Sequence, residues 1–313
     1  MFVNNREGET MYDVIIIGAG PGGMTAALYA ARSNMKVLLL EQGAPGGQMN
    51  NTAEIENYPG FGTVMGPELS QRMYEPLDGL GVENAYGIVE SIEDLGETKK
   101  VTTEDETFET KTLIIATGAV HRELGVTGEE EYGARGVSYC AVCDGAFFRE
   151  KDIIVVGGGD SAVEEAMFLT RFGKEVTIVH RRDELRAQKI IQERAFKDPK
   201  LKFIWDSTVE EIKGNDKAVT GVTIKNLKTG EVTEKEASGV FIYVGLIPQS
   251  DAVKSLGITT DEGWVKTDAL MHTTLDGIYA IGDVREKDLR QITTAVGDGA
   301  TAAQEAYKYI TSH

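Results

Sequence analysis

Cys140-Ala141-Val142-Cys143 is followed directly by Asp144, and these are the only two cysteines in the chain. Thiolate is the reactive form of cysteine, and an unperturbed thiol titrates at about 8.5, so a redox cysteine needs help near neutral pH. Two cysteines three apart can close a small disulfide ring, and an adjacent carboxylate can carry the proton. A four-ligand zinc site is a poor alternative. There is no second CxxC, and the four histidines, at 121, 180, 272 and 313, show no ligand spacing. Two buried structural thiols are the plain alternative, since cysteine is often buried. Pairing, an acid neighbour and a position just before a glycine-rich loop favour a redox dithiol.

The elements that must position this pair repeat one signature. Tyr12 to Ile17 reads as an apolar strand, followed by Gly18-Ala19-Gly20-Pro21-Gly22-Gly23, a small-residue helix from roughly Met24 to Arg32, and a strand from Lys36 to Leu40 ending in Glu41. The order recurs from Asp152 to Val156, with Gly157-Gly158-Gly159-Asp160-Ser161-Ala162, a helix to about Arg171, and a strand from Glu175 to Val179. Each copy is a βαβ nucleotide-binding unit.

In the first copy Gly18 allows the tight turn, Gly20 lets the backbone approach a pyrophosphate, and Gly23 lets helix and strand pack closely. The helix N-terminus offers free N–H groups to phosphate. Glu41 falls where an acid accepts hydrogen bonds from ribose hydroxyls. In the second copy Gly157, Gly159 and Ala162 fill the fingerprint, but no acid closes the strand. The chain reads His180-Arg181-Arg182-Asp183-Glu184-Leu185-Arg186 instead. A carboxylate there would repel a ribose 2′-phosphate, whereas Arg181, Arg182 and Arg186 would pair with it, which points to NADPH over NADH. Two nucleotide loops suggest two cofactors: the ADP half of a tightly held FAD at the first, exchangeable NADPH at the second. A flavin can accept a hydride and hand two electrons to sulfur.

Between the copies lie a charged hairpin-like stretch from Val82 to Thr110 and a strand from Thr112 to Ile115 ending in Ala116-Thr117-Gly118. After the second copy come a hairpin turning at Thr229-Gly230, a strand from Val240 to Val244, a return segment, Gly277-Ile278-Tyr279-Ala280-Ile281-Gly282-Asp283, and a helix from about Gly297. The expected fold class is α/β, with two Rossmann-like, three-layer nucleotide-binding domains. A discontinuous FAD domain, 1–118 and 248–313, would hold an inserted NADPH domain, 119–247, that carries the CxxC. Residues 1–10 read as a flexible tail.

Composition agrees. The 313 residues are 41% hydrophobic, and 36 glycines against only 7 prolines fit turns and phosphate loops rather than disorder. A formal net charge of −18 argues against nucleic acid or anionic membrane as partner. Apolar runs are strand-sized, the N-terminus lacks a signal-like stretch, and the sparse cysteines suit a reducing compartment, so a cytoplasmic location is expected.

Taken in order, GAGPGG, APGGQ with IENYPGF, ATGA, CAVCDGAFF, GGGDSAVEEA, HRRDELRA and GIYAIGDVREKDLRQ closely resemble the low-molecular-weight bacterial thioredoxin reductases over Met11 to Tyr309. The stretch from Gly43 to Asn57, where glutathione-reductase-like relatives carry their redox pair, has no cysteine here. The resemblance implies that Cys143 faces the flavin, that Cys140 attacks the disulfide of thioredoxin, and that Asp144 is the acid–base. It implies FAD contacts from Gly18, Gly20, Pro21, Gly23, Glu41, Gln42, Gly46, Gly47, Gln48, Asn57, Thr117 and Gly118, and from Gly282, Asp283, Arg290 and Gln291. It implies NADPH contacts from Gly157, Gly159, Asp160, Ser161, Ala162, His180, Arg181, Arg182 and Arg186. It also implies a homodimer, and a large rotation between domains so that nicotinamide and disulfide reach the flavin in turn, with Gly118 and Gly245 as candidate pivots. Thr127, where proline is usual, and Ile281, where a small residue is common, depart from the family pattern without removing a chemical group. The competing reading is a related flavin-dependent disulfide reductase with another partner or electron donor.

Overall fold

The computed structural model describes residues 11–52, 54–55 and 57–312. The tail expected at 1–10 lies outside the described residues. The chain divides into two compact units. One comprises the described residues up to Thr52, Tyr58–Val120 and everything from Ile247 onward. The other comprises His121–Leu246, with which the stretch ending at Asn57 is grouped. The chain passes between them near Val120 and Leu246, where the short strands Ala119–His121 and Leu246–Pro248 pair.

In the first unit, Tyr12–Ile17 lies between Val37–Glu41 and the long strand Thr107–Ile115, all in parallel register. Ile278–Ala280 adds a further parallel strand beside Leu113 to Ile115. Strands such as YDVIII and VLLLE are nearly continuous apolar runs because both faces of a parallel sheet are covered. Ile15 and Ile17 join Leu38, Val101 and Leu113 in one core cluster. Val14 and Ile16, equally buried, point to the other face by the period of two. On that sheet the helices Pro21–Arg32 and Ile292–Ser312 pack against each other backbone to backbone. A Cβ on Gly299 would run into the Gly22 carbonyl oxygen.

That contact explains one departure from the sequence reading. The sequence places the helix start at about Gly297, yet the helix begins at Ile292, and the glycine that follows at 299 serves close packing. The first helix likewise begins at Pro21, not Met24: proline at the first helical position lacks only an N–H that has no partner there anyway. Within the Val82–Thr110 stretch, Glu83–Tyr86 is no hairpin arm but the parallel partner of Val37–Glu41. Only Val89–Asp94, Lys99–Thr103 and the first half of Thr107–Ile115 form antiparallel pairs.

The second unit is three-layered. A five-stranded parallel sheet runs Val137–Ser138, Gly239–Tyr243, Asp152–Gly157, Glu175–Val179, Leu201–Ile204. One face, with Ile153, Val155, Ile178 and Phe241, packs on Ala162, Val163, Ala166 and Leu169 of the Asp160–Leu169 helix and on Ile191 of the Lys189–Ala195 helix. The other, with Ile154, Val156, Val240 and Ile242, packs on Val209, Ile212, Val222 and Ile224 of a three-stranded antiparallel sheet. Among the described residues no helix is long and apolar enough to cross a membrane.

Candidate active site

In each unit the residues singled out from sequence gather at the carboxyl ends of parallel strands, where open α/β sheets bind ligands. In the first unit Gly18 follows Tyr12–Ile17 at φ +103°, a conformation that favours glycine. A Cβ on Gly23 would strike the Gly18 carbonyl oxygen, so strand and helix meet there at backbone distance. Glu41 binds the loop: its Oε2 accepts the Ala19 N–H at 2.7 Å and its Oε1 accepts the Gly43 N–H at 3.0 Å. Each carboxylate oxygen keeps a further lone pair for a ribose hydroxyl. The Gly46 amide donates to the Ala19 carbonyl at 2.8 Å, and Gly47 lies against Gly20. Nothing occupies the space a Cβ on Gly20 would take.

The neighbouring strand ends bring Thr117 and Gly118, then Gly282 and Asp283. Among the described residues, Thr117 Oγ1 and Asp283 Oδ1 are buried without a hydrogen-bond partner. Burial holds the Asp283 carboxyl above its usual range, against the opposing pull of Lys287 and Arg290. Arg290 donates from Nε to the Asp283 carbonyl at 3.2 Å and lies over the Trp264 ring at 4.0 Å. Gln291 donates its backbone N–H to Thr294 Oγ1 at the start of the last helix. Gln42, beside Glu41, and Gln48, beside Gly47, are exposed, and Gln48 Nε2 donates to the Ala119 carbonyl at 3.5 Å, next to Gly118. Asn57 is grouped with the other unit.

In the second unit Gly157–Gly158–Gly159 leads into the Asp160–Leu169 helix. A Cβ on Gly158 would collide with the imidazole of His180, while Gly159 borders open space. The basic turn is tied to this loop: the Arg186 N–H donates to the Gly158 carbonyl at 2.7 Å, and the Gln188 N–H to Asp160 Oδ1 at 2.7 Å. Ala162 is buried under the sheet, and Ser161 is exposed in the first turn. Arg181, Arg182 and Arg186 are exposed, and among the described residues their guanidinium groups make no hydrogen bond or ion pair. All three lie close enough to act on His180. Burial, then the charge of Arg186, then Arg182 and Arg181 hold this imidazole below its usual pKa, and its Nε2 is buried without a partner.

The dithiol segment belongs to the same unit. Cys140 and Cys143 are joined in a disulfide, with Cα atoms 5.3 Å apart. Cys140 caps the one-turn helix Ala141–Asp144, its Sγ accepting the Cys143 N–H at 3.2 Å. Ser138 Oγ donates to Asp144 Oδ2 at 2.6 Å and accepts the Cys140 N–H at 3.1 Å. Burial raises the Asp144 carboxyl above its usual range, and the Ser138 hydrogen bond partly offsets this. The Tyr243 hydroxyl accepts the Ala141 N–H at 2.6 Å. Tyr243 ends the Gly239–Tyr243 strand directly beside Gly157, so one residue abuts both the dithiol and the glycine loop.

A family model described as pyridine nucleotide-disulphide oxidoreductase matches residues 12–299. The chain is 58% identical over 302 residues to a thioredoxin reductase of Listeria monocytogenes, covering 96% of this chain and 95% of that protein. It is 53% identical to a thioredoxin reductase of Bacillus subtilis, with 96% of each covered. The crystal structure of thioredoxin reductase from Streptococcus pyogenes is 64% identical, with a TM-score of 0.92 over 98% of this chain and all 100% of that one. The chain belongs to the pyridine nucleotide-disulphide oxidoreductase family, in its thioredoxin reductase branch.

A pyridine nucleotide-disulphide oxidoreductase works with a flavin and a pyridine nucleotide. The residues present fit such groups. Among the described residues, buried polar atoms without hydrogen-bond partners at Thr117, Asp283 and His180 sit at the strand ends, and the loops border open space at Gly20 and Gly159. The sequence reading missed several supporting residues of this oxidoreductase. Ser138 stood two residues before Cys140 and was detectable as a hydroxyl near an acid. Tyr243 lies 102 positions from Ala141, and only the sheet order brings them together. Glu165, one Oε of which is buried without a partner, carried no signal, because an acid on a helix reads as a solvated face.

Proposed function

We propose that the protein is an NADPH-dependent thioredoxin-disulfide reductase. The first unit would bind FAD through the loop 18–23, Glu41, Gly46, Gly47, Thr117 and the 282–291 segment. The second would bind NADPH through Gly157–Ala162, His180 and the three arginines. When bound, the nucleotide supplies a hydride and the flavin relays its electron pair to sulfur.

The chain's own residues do the rest. Opening the Cys140–Cys143 bond takes two electrons and yields a thiol pair. The Cys140 thiolate attacks one sulfur of an oxidised thioredoxin, forming a mixed disulfide as the partner's other sulfur leaves as thiolate. Cys143 then attacks Cys140 Sγ, which re-forms the intrachain disulfide and releases the partner as a dithiol. Asp144, held by Ser138, takes the proton from the attacking thiol and returns one to the departing sulfur. Tyr243 fixes the amide that follows Cys140. The rotation implied by the resemblance belongs to the proposal, supported by the left-handed φ of Gly118 (+73°) and Gly245 (+126°) at the two crossings. A cytoplasmic homodimer completes the proposal.

The observation that carries it is the disulfide, with a half-buried acid beside it, in the same unit as a glycine loop and three unpaired arginines. The test is NADPH oxidation by the flavin-loaded protein in the presence of thioredoxin. The wild type should turn over, whereas Cys140→Ser should not, although NADPH still bleaches its flavin. Thioredoxin reduction by Cys140→Ser at the wild-type rate would overturn the proposal.

A further inference from the structure

The basic turn has acidic neighbours that the nucleotide reading leaves unexplained. Asp183 and Glu184 interrupt the arginines, and Asp206 comes against the turn from the following strand connection, its N–H donating to the Arg182 carbonyl at 3.0 Å. Three guanidinium groups therefore share one patch with three carboxylates. Such a patch has no net charge, and each exposed carboxylate is an available, if weak, partner for an exposed guanidinium. Yet Arg181, Arg182 and Arg186 make no ion pair among the described residues.

Lys228 occupies two of these three carboxylates. It stands in the turn 227–230 between two strands of the antiparallel sheet, and that turn is fastened to the patch by the Leu227 N–H, which donates to the Asp206 carbonyl at 2.6 Å. Its ammonium lies 3.1 Å from Asp183 Oδ2 and 3.0 Å from Asp206 Oδ1, bridging the two acids. The Asp183 carboxyl is held below its usual range chiefly by this contact.

We propose that Lys228 is a specificity residue for the 2′-phosphate: by occupying Asp183 and Asp206 it keeps the three arginines unpaired and the patch net positive. This rests on the reading of the turn as the NADPH phosphate site. Lys228 acts through the arginines and touches no reacting atom. Without it, two carboxylates are released beside arginines that pair with them readily, and the patch loses its positive charge. A dianionic phosphate then meets competition for its ligands and repulsion together. NADH, which lacks that phosphate, is indifferent to both.

The test is steady-state kinetics with NADPH and NADH on the flavin-loaded enzyme at low ionic strength, where exposed charges act most strongly. Lys228→Gln should raise KM for NADPH by about three- to tenfold, leaving kcat and KM for NADH unchanged, a size suited to exposed charges. Lys228→Arg should restore the wild-type KM. Adding Asp183→Asn and Asp206→Asn to Lys228→Gln should restore it as well, since the competing acids are then gone. Arg182→Gln serves as the reference. If it lowers the preference for NADPH over NADH while Lys228→Gln does not, the role given to Lys228 is wrong and the phosphate site stands. If Lys228→Gln raises KM for both nucleotides alike, its role is structural and the proposal fails. If Arg182→Gln also leaves the preference untouched, the phosphate site itself is misplaced and the proposal falls with it.

Discussion

Glu165 faces inward from the Asp160–Leu169 helix, with Oε2 buried and no hydrogen-bond partner, close enough to Tyr243 for their charges to interact. Burial, with a smaller contribution from Glu164, lifts its pKa from 4.5 to about 7. In the unfolded chain the carboxyl titrates near 4.5. Below that pH it is protonated in both states, and the folded protein keeps its full stability. Between 4.5 and 7 the unfolded chain ionises while the folded one resists, so stability falls as pH rises. Above 7 both are ionised and the loss levels off at about 3 kcal/mol, from 1.36 kcal/mol per pKa unit. Glu165→Gln removes the titration and keeps the shape. Urea unfolding of both flavin-loaded proteins should show the glutamine variant gaining about 2.5 kcal/mol on the wild type between pH 5 and pH 8, the rest of the loss falling below pH 5. A stability difference that does not change with pH would refute the burial of this carboxylate.

Other expectations are equally direct. Gly158→Ala places a methyl group on the His180 ring, so the variant should lose about 1–3 kcal/mol in urea unfolding and bind NADPH more weakly, while the flavin stays bound. Asp144→Asn should slow thioredoxin reduction by about a hundredfold or more with flavin reduction by NADPH intact, as read by stopped flow. Ser138→Ala removes the hydrogen bond that lowers the Asp144 pKa. The acid limb of the pH–rate profile should therefore move to higher pH, and an unmoved limb would separate Asp144 from the proton transfer. Tyr243→Phe leaves the Ala141 N–H without its acceptor and should cost about 1–3 kcal/mol by the same unfolding assay.

Both βαβ units were legible because their signals are local. An apolar strand, a glycine turn and an acid or basic cluster at a fixed offset need no tertiary information, and Tyr12–Ile17 and Glu175–Val179 fall where the residues place them. Helix ends were less legible, because proline and glycine each carry two meanings. Pro21 starts a helix rather than preceding it, and Gly297 lies inside the last helix rather than at its start. Glu83–Tyr86 leaves the expected hairpin because a strand's own residues do not reveal which neighbour it pairs with. In the site, the loops, the cysteines and the arginines were visible as types at spacings. Ser138, Tyr243, Glu165 and Lys228 were not, since each acts through a contact set by sheet order or by a turn meeting another turn. Gln42, Gln48 and Asn57 follow from the family pattern alone, because no strand end or glycine turn marks them in the sequence.

The central claim is that Cys140 and Cys143 store electrons delivered through a flavin. An anaerobic dithionite titration of the flavin-loaded protein, followed by flavin absorbance, tests it most directly. The wild type should consume two pairs of electrons per flavin, one for the flavin and one for the disulfide, and Cys140→Ser should consume one. Equal uptake by the two proteins would contradict the account.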